Sequence, residues 1–257
     1  MSNYGQQPPE FLNSMPQVSP AMLNYGVETT SNMLKKQRDI YMPGMSNFWN
    51  SLKIYFMVSN TYVVKKMPIV LFPFQTKTWA RVGEDDMSVS YSQEQVSTHK
   101  WLPPKYDVNA PDLYIPTMAF VTYILLVGYV KGTSNKFTPE VLIQAVWSCV
   151  LLQLCEAGIM KLGLGMMQAN LPFLDLIAYT GYKYVGICVA TISLIFGSTI
   201  YFLACLYIGV SIAFFMLKSI ASAVPTTAVS SSGPPRHLVI LAFAVLQFLV
   251  TILLCYF

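Results

Sequence analysis

Charged residues are scarce in this chain of 257 residues, and their scarcity argues against an ordinary water-soluble fold. Only 11% of the residues are Asp, Glu, Lys or Arg, and 54% are hydrophobic, whereas soluble domains carry about 25% charged residues. The charge is also unevenly placed, because residues 1–112 hold 10 of the 16 Lys and Arg and 9 of the 12 Asp and Glu. We therefore predict a water-exposed N-terminal region followed by a membrane domain.

The features that enzymes and metal sites require are also missing from the sequence. The two histidines, His99 and His237, have neither a metal-ligand nor a triad-like spacing. The five cysteines lie in apolar runs without paired spacing, which favours a packing role. No Walker-type phosphate loop is present, and a net charge of +4 is too small to indicate a nucleic-acid partner. We predict no enzymatic activity, no cofactor and no metal.

The N-terminal part contains no apolar run long enough to cross a membrane. Residues 1–30 have no continuous apolar core, so no cleaved signal peptide is expected. The composition of residues 1–45 is typical of a disordered cytosolic tail. Residues 46–112 are predicted to form a cytosolic juxtamembrane region that begins with a short amphipathic helix over 46–60. That helix would pack within a small cytosolic domain or lie at the membrane surface, and both interpretations stay open. Prolines 68 and 73 are expected to stop any long helix after it.

Five apolar segments follow, and each is long enough to cross a bilayer as a helix. We predict an all-α membrane domain over residues 113–257, with spans at about 113–130, 141–162, 174–196, 199–217 and 238–257. Near the span ends, five Lys and Arg lie on the side of the N-terminus and two on the opposite side. This asymmetry predicts a cytosolic N-terminus and a lumenal C-terminus.

Two ionisable residues lie deep within the predicted spans. Glu156 and Lys183 are each about 13 residues from the centre of the loop that joins the second and third spans, so antiparallel neighbouring helices would bring them to a similar depth. A lone charge at that depth is costly, which makes an intramembrane ion pair a candidate. The alternatives are that Lys183 extends to the headgroups or that Glu156 meets a partner protein.

Small residues recur at helical spacing in the third and fourth spans. Such rows let two helix backbones approach closely, so we predict tight packing of these spans on each other. The first row is Gly186, Ala190, Ser193 and Gly197, and the second is Cys205, Gly209 and Ala213.

The start of the first span carries a specific string of residues. NAPDLYIPTMAFVTY at 109–123 resembles the signature of the Yip-interacting factor (Yif) family of early secretory pathway membrane proteins. Three further stretches are similar to that family in order and spacing: YVVKKMPIVLFPF (62–74), FTPEVL (137–142) and AYTGYKYVG (178–186). The signature residues are Asn109, Ala110, Pro111, Asp112, Leu113, Tyr114, Ile115 and Pro116. Independently of the resemblance, Pro111 and Asp112 suit the first turn of a helix.

The resemblance implies a five-span scaffold in ER-to-Golgi vesicle-mediated transport. It further implies a Yip-family membrane partner and contact with Rab (Ypt) GTPases, either directly or through other proteins. The implied locations are the endoplasmic reticulum membrane, the Golgi membrane, the ER–Golgi intermediate compartment and COPII vesicles. The alternative is a small transporter or channel that uses Glu156 and Lys183. The odd number of spans and the lack of a visible inverted repeat favour the scaffold.

Overall fold

The structure, a computed structural model of the chain, describes residues 27–31, 33–34, 45–81, 104–169, 171–224 and 235–256. Within these ranges all regular secondary structure is helical. From residue 45 onward the α-helices are α1 Met45–Tyr55, α2 Asn60–Leu71, α3 Tyr114–Thr133, α4 Pro139–Met166, α5 Phe173–Gly181, α6 Lys183–Ile192, α7 Ser198–Ala223 and α8 Arg236–Tyr256. Short 3₁₀ turns cover Pro73–Gln75 and Ser193–Phe196.

The chain divides into two compact units, Met1–Ser51 and Leu52–Phe257. In the first unit, residues 27–31 form a helical turn, and most of the predicted disordered tail lies outside the described residues. The second unit contains the helical bundle and the juxtamembrane segments from Leu52 onward. All of the polar clusters described below lie within this second unit.

The prediction of an all-α protein with five membrane-spanning helices is confirmed. Among the residues that the structure describes, five segments are long and apolar enough to cross a membrane: Tyr114–Thr133, Pro139–Met166, Phe173–Phe196, Ser198–Ala223 and Arg236–Tyr256. The fourth span continues beyond its predicted end at residue 217, because Ser219 and Ile220 are buried. The Arg236 guanidinium also donates hydrogen bonds to the carbonyls of Ala221 and Val224, at 2.5 and 2.9 Å, near the end of that helix.

The third span is the central helix of the bundle. It consists of α5 and α6, which meet at Tyr182, and of the 3₁₀ turn that follows. It contacts each of the other four spans, and a larger share of its residues is buried inside the protein than in any of those spans. Polar side chains on this span are therefore surrounded by other helices rather than directed outward.

The segment between residues 45 and 75 differs from the single short helix predicted over 46–60. Here α1 ends at Tyr55 and a second helix, α2, begins at Asn60, where the Ser59 hydroxyl caps it by accepting the Tyr62 N–H at 3.2 Å. Pro68 lies inside α2 rather than ending it. The helix tolerates the lost backbone hydrogen bond because one face of α2 packs onto the bundle through Tyr62 and Val70.

Candidate functional site

Two polar clusters are buried at different depths of the bundle. The end of the bundle at which the first span begins is called the proximal end, and the opposite end is called the distal end. Consecutive spans are antiparallel, so the second span ends, the third begins, the fourth ends and the fifth begins at the proximal end. The proximal cluster is centred on Asp112, and the deeper intramembrane cluster on Lys183.

Asp112 is completely buried at the start of the first span. Its Oδ2 accepts a hydrogen bond from the Tyr182 hydroxyl and lies 2.8 Å from the Tyr62 hydroxyl, while its Oδ1 accepts the Ile115 N–H at 2.7 Å. The Asp112 N–H in turn donates to the Tyr182 hydroxyl at 3.1 Å. Pro111 and Asp112 therefore precede α3, which begins at Tyr114, rather than forming its first turn. The Asp112 carboxylate caps the helix from outside by accepting the Ile115 N–H, and it also ties α3 to α2 and to the central span.

Lys66 of α2 holds the chain segment that leads to Asp112. Its side chain is buried, and its ammonium donates to the carbonyls of Val108 and Ala110 at 2.6 and 3.2 Å. The ammonium also lies 5.5 Å from the centre of the Tyr182 ring, within the range of a cation–π interaction. Hydrogen bonds to carbonyls, an aromatic face and the nearby charge of Asp112 offset part of the cost of removing water from the cation.

A second link joins the juxtamembrane region to the third span at Asp175. The Tyr55 hydroxyl donates to one carboxylate oxygen of Asp175, and Arg81 Nη1 lies 3.1 Å from the other. Burial, followed by the charge of Asp175, raises the pKa of the Tyr55 hydroxyl well above its ordinary value. The Tyr55 carbonyl also accepts the Leu113 N–H at 3.2 Å. Residues before the first span are thus attached to two different spans.

The other signature residues support the proximal cluster by packing. Ala110, Pro111, Leu113, Ile115 and Pro116 are all buried. The Asn109 amide donates to the Ala80 carbonyl at 2.8 Å, which closes the segment against the chain that follows α2. Pro116 packs directly on Gly181 of the third span, where an added Cβ would lie only 2.7 Å from the proline ring. Tyr114 is half-buried at the start of α3.

The intramembrane cluster contains both ionisable residues that the sequence singled out. The Lys183 ammonium on the central span forms an ion pair with Oε2 of Glu156 on the second span, and both side chains are buried. The ammonium also donates to Gln153 Oε1 at 2.8 Å. Gln153 continues the cluster by donating from Nε2 to the Thr180 hydroxyl. Lys183 is therefore enclosed by protein and does not extend toward the ends of the bundle.

Gln247 of the fifth span completes the cluster by donating to the Thr180 carbonyl at 3.3 Å. Within the part of the chain that the structure describes, only Glu156 Oε1 and Gln247 Oε1 of this cluster lack a hydrogen-bond partner. Nearly all of the hydrogen bonds in the cluster join the second and fifth spans to the central one. The cluster therefore holds neighbouring helices together, since its two charges face each other across a packed interface between spans.

The first row of small residues allows close packing at Gly186, where an added Cβ would lie 2.3 Å from Ile208 on the fourth span. Ala190, one turn away, is fully buried. Ser193 and Gly197 have other roles. The Ser193 hydroxyl donates to the Ala190 carbonyl at 2.6 Å, and Gly197, with a φ of 116°, forms the turn before α7.

The second row of small residues is directed toward the fifth span rather than the third. At Gly209 an added Cβ would lie 3.0 Å from Phe248 and 3.1 Å from Ile252, both on α8. Cys205 is buried and Ala213 is half-buried on the same helix. The fourth span therefore has two packing faces, and the spacing of its small residues alone could not assign a neighbour to each.

The partners of Asp112 were not identified from the sequence. Tyr62, Lys66 and Tyr182 lie 46 to 70 positions from Asp112, and no local pattern joins them. A signal was nevertheless present, because three of the stretches that carry the family resemblance, 62–74, 109–123 and 178–186, meet in this cluster. Hydrogen bonds join the first and third of these stretches to Ala110 and Asp112 of the second.

Comparison with known proteins gives a consistent result. A family model described as YIF1 matches residues 18–255. The chain is 37% identical to protein YIF1B of Xenopus tropicalis over 66% of this chain and 54% of the relative. It is 35% identical to protein YIF1A of Danio rerio over 77% of this chain and 62% of the relative.

Another relative carries a functional description in its name. The protein transport protein yif1 of Schizosaccharomyces pombe is 35% identical over 66% of this chain and 57% of the relative. In these three comparisons the chain spans between 54% and 62% of the length of its curated relatives. No solved structure matches the chain.

Proposed function

The chain belongs to the YIF1 family, and from that premise we propose that it is a membrane scaffold in vesicle-mediated transport between the endoplasmic reticulum and the Golgi. The name of the fission yeast relative, a protein transport protein, supports a role in transport. The five apolar helices support a membrane protein of the secretory pathway. The scaffold acts in both membranes, in the intermediate compartment and in COPII vesicles.

The observation that carries the proposal is the attachment of the juxtamembrane region to the bundle. Asp112 accepts hydrogen bonds from tyrosines of α2 and of the central span, and Lys66 fixes the segment that precedes Asp112. These contacts fix the base of the region that precedes the spans against the bundle. Such a base suits a protein that holds partners in a defined position at the membrane surface.

The proposed partners are a Yip-family membrane protein and Rab GTPases. The membrane partner binds within the bilayer, and the N-terminal regions of both proteins, on the cytosolic side, engage the GTPase directly or through other proteins. The proximal end of the bundle then faces the cytosol and the distal end faces the lumen. The excess of Lys and Arg near the proximal ends of the spans supports this orientation.

Affinity purification tests the partner directly. The tagged full chain is purified from cells in a mild detergent, and co-purifying membrane proteins are identified and compared with those of an unrelated five-span protein. We expect a Yip-family protein to be recovered in stoichiometric amount with the tagged chain and not with the unrelated control protein. Recovery of the tagged chain without such a protein, at normal folded yield, would reject the complex.

The transporter alternative makes a separate prediction. Glu156 and Lys183 neutralise each other and are enclosed by Gln153 and Thr180, which supports a structural role for the pair. Purified chain in proteoliposomes should therefore show no ion or proton flux above that of protein-free vesicles. A flux that the Glu156→Gln substitution abolishes, without loss of reconstituted protein, would favour the transporter.

A further inference from the structure

Residues 60–81 form a hairpin that lies along the fourth span. The hairpin enters as α2, turns at the 3₁₀ segment Pro73–Gln75 and returns through residues 76–81. Near the proximal part of α7, the Trp79 ring contacts Phe215 with ring centres 5.8 Å apart. Farther toward the distal end, the Phe72 ring contacts Tyr207 at 6.1 Å. The tip of the hairpin therefore lies deeper along the span than its two ends.

The depth of the tip follows from its hydrogen bonds to α7. The Ser211 hydroxyl lies 2.8 Å from the Leu71 carbonyl, and the Tyr207 hydroxyl donates to the same carbonyl at 3.1 Å. Ser211 is at the midpoint of the 26 residues of α7, which places it roughly 20 Å from either end of the helix. Because the hydrocarbon layer is about 30 Å thick, a residue at the midpoint of a span lies near the middle of the bilayer.

Several backbone groups at the tip have hydrogen-bond partners within the protein, as a position in hydrocarbon requires. The last carbonyls of a helix have no partners within the helix, and in lipid they cannot use water. At the end of α2 the Leu71 carbonyl accepts two hydroxyls from α7. The Phe72 N–H donates to the Pro68 carbonyl, and the Thr76 N–H donates to the Pro73 carbonyl. A hairpin in water would not need side chains of a membrane span to supply these donors.

Two large apolar rings are exposed at the tip of the hairpin, beside the exposed Gln75. At the tip, Phe72 and Phe74 are 50% and 53% exposed, and their rings contact Tyr207 and Phe214 of α7. The exposed lysines of the hairpin, Lys65 and Lys77, lie on either side of the tip. Lys65 is seven residues before Phe72, or about 10 Å along a helix, and Lys77 is three residues after Phe74. Long lysine side chains at that level can extend to the headgroups while their stems stay in the apolar layer.

The geometry points to a re-entrant hairpin: residues 60–81 enter the bilayer from the proximal face, turn near its middle at Phe72–Phe74, and leave by the same face. The exposed phenylalanines of the tip contact the acyl chains of the proximal leaflet. In this arrangement residues 60–81 lie in the bilayer and not in the cytosolic region that the sequence predicts. It does not depend on the proposed function, and it adds protein volume to one leaflet only.

Fluorescence quenching in liposomes that contain only the purified full chain tests the inference. The background chain has its native tryptophans, Trp49, Trp79, Trp101 and Trp147, replaced by phenylalanine. Into it a single tryptophan is introduced as Phe72→Trp, with Phe74→Trp as a second probe in case the first disturbs folding. Leu206→Trp on the exposed face of α7 is the lipid control, and Lys53→Trp in α1 is the control outside the hairpin. The quenchers are lipids brominated on the acyl chains and aqueous iodide.

The expected result is that brominated lipid quenches Phe72→Trp and Phe74→Trp as strongly as Leu206→Trp, while iodide quenches both weakly. Iodide quenching equal to that of a water-exposed tryptophan in the unfolded chain would overturn the inference, because the tip would then lie in water. Weak quenching by both agents, with normal lipid quenching of Leu206→Trp, would also overturn it, because a second copy of the chain would then cover the tip.

Discussion

Lys183 on the central span forms an ion pair with Glu156 on the second span, and both side chains are buried among the helices. The pair lies within the bundle, where water cannot solvate a charge that has lost its partner. Breaking a buried pair typically costs about 3–5 kcal/mol, because the remaining charge is left uncompensated. The stability of the bundle should therefore depend on both residues together.

Glu156→Gln and Lys183→Gln should each lower the folded yield and the midpoint of thermal unfolding in detergent. The charge-swapped double variant, Glu156→Lys with Lys183→Glu, should recover part of the loss because it restores the attraction. Lys136→Gln, at an exposed lysine between the first two spans, is the matched control and should behave like wild type. Equal stability of all four variants would show that the pair contributes nothing to folding.

Tyr182→Phe should destabilise the chain by roughly 1–3 kcal/mol, because it removes a buried hydroxyl that donates to Asp112 and accepts the Asp112 N–H. Tyr129→Phe is the control, since the Tyr129 side chain is exposed on α3. Thermal unfolding of the two purified variants in the same detergent measures the difference. A Tyr182→Phe chain as stable as Tyr129→Phe would mean that the proximal cluster does not hold the juxtamembrane region.

Gly186→Leu should disrupt the contact between the third and fourth spans, because even the first carbon of the new side chain would lie 2.3 Å from Ile208. Gly209→Leu should disrupt the contact between the fourth and fifth spans through Phe248. Gly158→Leu is the control, since an added Cβ there has open space around it. The fraction of monodisperse protein in size-exclusion chromatography should fall for the first two variants and not for the third.

The double substitution Tyr207→Phe with Ser211→Ala should loosen the tip of the hairpin, because the Leu71 carbonyl loses both hydroxyl donors. Iodide quenching of the Phe72→Trp probe should then increase. Thr191→Val is the control, because the Thr191 hydroxyl bonds to the Ile187 carbonyl of its own helix. No change in quenching by the double substitution would show that these hydroxyls do not hold the tip in place.

The spans and the depth of the ion pair were predictable because both follow from local rules. Helix rise, bilayer thickness and loop position bring Glu156 and Lys183 to similar depths without any knowledge of the tertiary fold. The partners of Asp112 could not be predicted in this way. Contacts from Asp112 to Tyr62 and Tyr182 depend on how three helices pack, and no periodicity in the sequence encodes that arrangement.

The hairpin was missed for a related physical reason. Pro68 and Pro73 indicate helix ends in an isolated peptide, so the sequence predicts a cytosolic segment without a long helix. In the folded chain, packing of Tyr62, Lys66 and Val70 on the bundle outweighs the lost hydrogen bond at Pro68. The hydroxyls of α7 then complete the end of the helix. The α7 hydroxyls come from residues more than 100 positions away, and Asp112, the partner of Tyr62, lies 50 positions away.

The measurement that tests the proposed scaffold function most directly is the rate at which a synchronised secretory cargo reaches the Golgi after the chain is depleted from cells. Depletion should slow the arrival of the cargo at the Golgi, and re-expression of the wild-type chain should restore the normal rate. The chain with Glu156→Lys and Lys183→Glu, expressed to the same folded level, should restore normal arrival equally well. A scaffold needs the ion pair to hold the two spans together, and it does not depend on which span carries which charge. Normal arrival after depletion, or failure of the charge-swapped chain at equal folded level, would contradict the proposal.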